Sequence, residues 1–177
     1  MKRIDIKKIV VVLCVLFAIA GIAFTFGDKL FNGSSVPTVN NGDMTMPEAN
    51  AVTDEITKNI VIEQKFKYTP DTISEIAIVF TRKYYSEGVF IVIELLDGDT
   101  LLATDKYKIE GIDDQHRTYL KPDKMISGVS GKELTLRIYP ETKKDTGMAI
   151  MMQENNNTVF SFGNKEIKGT LCFSVSN

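Results

Sequence analysis

The sequence predicts an all-β domain, two antiparallel sheets packed as a β-sandwich, preceded by one N-terminal transmembrane helix. Three observations predict this. Residues 9–26 form a run of eighteen residues without a charge. From residue 59 onward apolar and polar residues alternate at a period of two, the spacing of a half-buried strand. Turn signals such as Pro70-Asp71 and Asp97-Gly98-Asp99 punctuate the alternating runs.

The N-terminal run IVVVLCVLFAIAGIAFTF would be about 27 Å long as a helix, close to the hydrocarbon thickness of a bilayer. A single spanning segment has to be helical, because only a helix satisfies its own backbone hydrogen bonds. Lys2, Arg3, Lys7 and Lys8 precede it against Asp5 alone, whereas Asp28 and Lys29 cancel after it. The positive-inside bias therefore places residues 1–8 in the cytoplasm and the rest of the chain outside the cell membrane. Ala18-Ile19-Ala20 offers a signal-peptidase site, but the apolar run continues to Phe26, which suits an uncleaved anchor. Leu13 before Cys14 does not fit a lipobox. The basic flank and the missing polar face argue against a buried core helix.

Residues 27–58 read as a flexible linker. Their central part, NGSSVPTVNNGDMTMPEANAVTDE at 32–55, is rich in Asn, Gly, Ser, Thr and Pro without an apolar period. Residues 1–31 carry five basic and two acidic side chains, and the remainder sixteen basic and twenty-one acidic. An acidic outer part is poorly suited to lie on an anionic membrane. The overall net charge of −2 argues against a nucleic-acid partner. Asn32-Gly33-Ser34 and Asn156-Asn157-Thr158 match glycosylation sequons, a pattern frequent by chance.

The outer domain is expected over residues 59–177. Ile60, Ile62 and Phe66 alternate with Val61, Glu63 and Lys65, and Ile76, Ile78 and Phe80 follow the Pro70-Asp71 turn. Val89 to Leu96 is almost continuously apolar, as in a central strand covered on both faces. Asp97-Gly98-Asp99 turns the chain into Leu101 and on to Ile109. Leu134, Leu136 and Ile138 alternate with Thr135, Arg137 and Tyr139 until Pro140, which cannot donate to a ladder. Met148 to Met152 and Val159 to Phe162 are short strand candidates, the methionines serving as core filler. Ile167, Leu171, Phe173 and Val175 alternate with Lys168, Thr170, Cys172 and Ser174, which places Cys172 on the outer face. Eight or nine such strands, with no amphipathic helix after residue 58, build two sheets that each bury one face. A closed barrel is the alternative, and the absence of Trp and of a Cys pair argues against an immunoglobulin domain.

The order Gln64-x-Phe66, Ile76-x-Ile78-x-Phe80, Gly88-Val89-Phe90-x-Val92-x-x-Leu95-x-Asp97 and Gly131-Lys132-x-Leu134-x-Leu136-x-Ile138 resembles extracytoplasmic β-sandwich modules of Gram-positive membrane proteins. Some of those modules are attached to polytopic glycosyltransferase-like proteins of envelope polysaccharide assembly. They look like the galactose-binding-like jelly rolls that also serve as carbohydrate-binding modules. The resemblance covers roughly residues 59–152, in alternating residues and turns. This chain departs from the polytopic members in having one apolar segment and no room for a transferase. The resemblance therefore implies an accessory binding or interaction module of jelly-roll type, not a catalyst.

Little in the residues points to chemistry of its own. His116, the one histidine, has no nucleophile elbow to serve. A glycosidase needs two carboxylates about 5–9 Å apart, and an acidic domain supplies such pairs by accident. Asp97-Gly98-Asp99 and Asp113-Asp114 carry oxygen ligands suited to calcium, but Asp-Gly is also a preferred hairpin turn. Two cysteines and one histidine exclude a disulfide scaffold and a Cys/His zinc site. No enzyme activity, cofactor or metal is expected.

The loop Thr81-Arg82-Lys83-Tyr84-Tyr85-Ser86-Glu87 is the binding-site candidate. Adjacent aromatics stack on sugar faces, and charged neighbours bond the hydroxyls. Arg82, Tyr84 and Tyr85 are its core, and His116, Arg117 and Tyr119 are expected at the same end of the sandwich. An envelope glycan is the expected ligand. The alternative is an accessory subunit that docks on a membrane protein, with Ala18, Ala20, Gly21 and Ala23 allowing close helix approach.

Overall fold

Alternation at period two becomes a strand wherever one face finds a core to cover, as in β3 (Ile62–Tyr68) and β10 (Glu133–Pro140). The computed structural model describes residues 36–39, 46–142 and 144–177. The anchor expected over 9–26, its basic flank 1–8, Cys14 and the first part of the linker lie outside the described residues. Among the described residues no helix is long and apolar enough to cross a membrane. The helical element there is the single 3-10 turn Ile109–Gly111.

The chain forms an all-β, sandwich-like fold. Its strands in order are β1 (Thr38–Val39), β2 (Ala51–Val52), β3 (Ile62–Tyr68), β4 (Thr72–Ile73), β5 (Glu75–Arg82), β6 (Phe90–Asp97), β7 (Thr100–Lys108), β8 (Arg117–Leu120), β9 (Ile126–Ser127), β10 (Glu133–Pro140), β11 (Met148–Gln153), β12 (Val159–Phe162), β13 (Lys165–Lys168), β14 (Thr170–Leu171) and β15 (Phe173–Ser176). Fifteen described strands replace the eight or nine expected, because several short pieces pair only two residues.

The first sheet runs β13-β12-β3-β10-β6-β7, antiparallel throughout, with β1 added parallel to β3. The second runs β14-β11-β5-β15, with β2 on β11 and β8 on β5. A small ladder joins β4 to β9. Ile62, Phe66, Leu134, Leu136, Ile138, Ile91, Ile93 and Leu95 of the first sheet share one buried cluster with Ile76, Ile78, Phe80, Met148, Ile150, Phe173 and Val175 of the second. The Phe66 and Phe173 rings meet in it with centroids 5.2 Å apart.

Gln64, a buried polar residue in this core, joins the layers. Its amide donates to Lys65 O and Val159 O, and its Oε1 accepts from Leu171 N–H at 3.3 Å. The central-strand reading of Val89–Leu96 holds. β6 lies between β10 and β7, and Val92 and Leu96 on its outer face are buried as well. That outer face is covered by a polar row in which Arg137 Nε donates to Glu63 at 2.7 Å and Tyr139 OH donates to Glu94 at 2.9 Å.

Two expectations are corrected. Cys172 is not on an outer face but 1% exposed. Alternation fails there because the second sheet forks. β11 pairs with β5 from Met148↔Arg82 to Ile150↔Phe80, and then with β14 at Met152↔Leu171. β15 takes its place beside β5 from Phe173↔Ile78. Cys172 sits at the fork, its N–H donating to Met151 O and its carbonyl accepting from Val79 N–H. Its thiol donates to Pro47 O, and burial pushes its pKa up to about 11. Gly169, just before the fork, has φ 142°, and a Cβ there would lie 2.7 Å from Gln153 O.

The second correction concerns the linker. Residues 46–58 belong to the folded body and run along the free edge of β11. Asn50 N–H donates to Met152 O, Thr53 N–H to Ile150 O and Ile56 N–H to Met148 O. Ile56 is fully buried, and so is Val39 of β1. Composition reads this stretch as a linker because its apolar residues are sparse. Its backbone groups nevertheless find partners on a strand about a hundred residues away, a relationship no local pattern carries.

The described strands give the sandwich two ends. Val39 pairs with Tyr68, whereas Arg82 pairs with Met148 at the opposite end of the layers. Pro37 and Val39 therefore join the sandwich at the end away from Arg82.

Candidate functional site

The loop between β5 and β6 protrudes at the Arg82 end. It carries the two most exposed tyrosines in the described chain, Tyr84 at 47% and Tyr85 at 57%. Tyrosine is amphipathic, so it tolerates this position, but two adjacent exposed rings leave apolar area in water unless something stacks on them.

The loop is held from three sides. Tyr84 OH donates to Glu55 Oε1 at 2.5 Å, and the same oxygen accepts Gly147 N–H at 3.1 Å. Lys83 N–H donates to Gly147 O at 2.7 Å, and Ser86 Oγ to Asp145 O at 3.1 Å. Gly147 has φ 68°, and a Cβ on it would stand 2.4 Å from Tyr84 O. The Glu55 hydrogen bond is the main reason the Tyr84 phenol is pushed up to about 12.

Arg82 anchors the loop to the 109–116 segment. Its Nη2 donates to Ile112 O at 2.7 Å and Ile109 O at 3.2 Å. Its guanidinium also lies over the Tyr85 ring, 5.5 Å from the centroid. Its N–H donates to Asp114 Oδ1 at 2.7 Å, and Thr81 Oγ1 donates to the same oxygen. These bonds, the Arg82 N–H first, hold the Asp114 carboxyl below the usual range. Glu110 Oε1 accepts Gly88 N–H at 2.8 Å, which likewise lowers the Glu110 pKa. Arg82 Nε and Glu110 Oε2 are buried atoms without a hydrogen-bond partner in the described structure.

The candidate residues divide on this frame. Arg82 and His116 are both tied to Asp114, whose carbonyl accepts from His116 Nδ1 at 2.8 Å, and Tyr85 lies against the Arg82 guanidinium. Arg117 is exposed on β8 opposite Val79, three positions along β5 from Arg82. Tyr119 lies opposite Ala77, about 16 Å from Arg82 at strand rise, and its ring packs under Lys121. The structure does not bring Tyr119 to the tyrosine loop.

Arg82 belongs to the scaffold, since its guanidinium is committed to carbonyls. Sequence reasoning missed Glu55, Glu110, Asp145 and Gly147. Glu55 falls in a stretch with linker composition, and only the fold brings it to Tyr84. The Asp97-Gly98-Asp99 turn closes the β6–β7 hairpin, and Lys132 Nζ takes Asp97 Oδ2 at 2.6 Å. Among the described residues no cluster of three or more His, Cys, Asp or Glu is arranged to hold a metal ion. No protein-family model matches this chain, and no curated protein matches it.

A second feature lies on the flank of the sandwich. A groove of about 440 Å³ runs between Leu101–Thr104 of β7 and the segment Lys121-Pro122-Asp123-Lys124 that follows β8. It touches none of the candidate residues above.

Proposed function

We propose that the chain is a noncatalytic, membrane-anchored binding module of jelly-roll type, held by residues 9–26 with its folded part outside the cytoplasm. Its ligand is an envelope carbohydrate that stacks on Tyr84 and Tyr85. One observation carries the reading: two adjacent exposed tyrosines are fixed in place before any ligand arrives, Tyr84 by Glu55 and Tyr85 by Arg82. A ring already immobilised loses little further entropy when a sugar packs on it. Lys83 beside the rings, and Asp113, Gln115 and His116 of the segment that Arg82 anchors, are exposed and offer both donors and acceptors to hydroxyl groups.

The test is retention of the full-length protein, in detergent micelles, on purified envelope polysaccharides. Tyr85→Ala removes a ring that makes no hydrogen bond in the clasp, and it should weaken retention about threefold to tenfold. Equal retention of wild type and Tyr85→Ala, or no retention of either, would sink the carbohydrate reading. A second reading, an accessory subunit that docks on another protein, is favoured by the groove beside β7.

A further inference from the structure

The hydrogen-bond phase of the first sheet shows which groups of β7 face away from it. Glu141 N–H donates to Phe90 O on the β10 side, and Ile109 N–H donates to Val89 O on the β7 side. Backbone groups alternate along a strand. Even-numbered residues of β6 therefore face β10, and Ile91, Ile93 and Leu95 face β7. Their register partners Tyr107, Asp105 and Ala103 point back at β6, so Thr104 and Lys106 point their N–H and C=O outward.

Most of this free edge is blocked. Lys106 N–H is taken by Asp105 Oδ1 at 2.8 Å, and Tyr107 OH reaches across to Tyr119 O on β8. The opposite edge of the same sheet, β13, is four residues long and carries Lys165 and Lys168, which discourage pairing. Leu101–Thr104 carries no lysine and no such bond, but a bulge at Leu102, opposite Leu95 and Leu96, interrupts its pairing, which leaves Thr104 as its regular outward-facing position. Among the described residues nothing bonds the outward N–H and C=O of Thr104, and Leu101 is 49% exposed.

This open stretch is one wall of the 440 Å³ groove. The facing wall is the segment Lys121–Lys124. Leu101, Leu102, Ala103 and Pro122 supply apolar lining. The facing wall holds two ammonium groups against one carboxylate. Glu75 lies 3.4 Å from Lys121, whereas Lys124 has no ion pair among the described residues. The geometry points to a docking slot for an extended peptide segment of a partner protein, which adds as a short strand beside Leu101–Thr104 and sets a carboxylate side chain against Lys124. Main-chain bonds supply the affinity in such strand addition, and the flanking charge supplies the selection. This slot does not depend on the carbohydrate reading.

The test pans a random nonapeptide display library against the full-length protein in detergent micelles, with Thr104→Pro as the comparison target. Proline there removes the outward N–H and no bond to β6, a position where edge strands tolerate it. Enrichment of acidic peptides on wild type is expected, with binding weakened at least tenfold by Thr104→Pro and by Lys124→Glu. No enrichment on wild type overturns the proposal. So does binding lost with Lys124→Glu but unchanged with a folded Thr104→Pro, which would mean recognition of anionic groups without strand pairing. If Thr104→Pro does not fold, unchanged acidic-peptide affinity in Lys124→Glu overturns it alone.

Discussion

Glu55 and Tyr84 meet through one carboxylate oxygen, which accepts the tyrosine hydroxyl at 2.5 Å and the Gly147 N–H at 3.1 Å. Three distant pieces of chain thereby close on each other: the segment along β11, the loop after β5 and the turn before β11. Tyr84 owes its fixed position to this junction.

The junction has a pH signature. The carboxylate favours the neutral phenol, so the folded Tyr84 pKa of about 12 lies above its ordinary value of 10.0. A raised folded pKa gives stability that is complete below the unfolded value and lost as pH rises through the folded one. The clasp is therefore expected to weaken between about pH 10 and 12. Glu55→Gln should bring one late-titrating tyrosine back toward 10 in an ultraviolet titration, and an unchanged titration would show that Glu55 does not hold the phenol.

Gly147→Ala tests the same junction from its backbone. The substitution puts a methyl against Tyr84 O and requires φ 68° of a residue that resists it. A loss of about 2 kcal/mol is expected by urea unfolding, with increased amide exchange in residues 83–86.

Arg82→Lys should loosen the other side of the loop. A lysine cannot reach both Ile109 O and Ile112 O in the forked geometry that the guanidinium uses. The expected cost is about 1–2 kcal/mol in chemical denaturation. A change in polysaccharide retention larger than the loss of folded protein would show that the loop's shape matters for binding.

Acid should act on the same segment. Asp114 and Glu110 both have lowered pKa values, each held first by a backbone N–H, from Arg82 and Gly88 respectively. A depressed folded pKa gives stability present above the unfolded value and lost as pH falls through the folded one. Resonances of residues 82–88 and 109–116 are expected to shift together below about pH 4. Asp114→Asn should remove the part of the shift read at Arg82 and leave the part at Gly88 that Glu110 holds, and an unchanged shift at Arg82 would assign it elsewhere.

Gln64→Leu probes the join between the layers. Leucine fits the apolar surroundings but abandons Val159 O and Leu171 N–H in the interior. Unsatisfied buried groups cost more than the amide's own desolvation, so a loss of about 2–4 kcal/mol is expected in thermal or urea melts.

Features that depend on neighbours along the chain were legible before the fold was known. β6, β10 and β12 lie where the apolar runs put them, and the hairpin at Gly98 follows from a local turn pair. The exposed pair Tyr84 and Tyr85 was legible as a loop between two strands. The remainder depends on contacts between segments far apart in the chain. Cys172 is buried because a sheet forks around it, and residues 46–58 are folded because β11 offers them an edge. Glu55 reaches Tyr84, and Glu110 reaches Gly88, across 29 and 22 residues of chain. Tyr119, near His116 in sequence, is carried down β5 by antiparallel pairing and away from the loop. Alternation reports which face of a strand is apolar. It does not report which strand comes to lie beside it, and the site is made of those meetings.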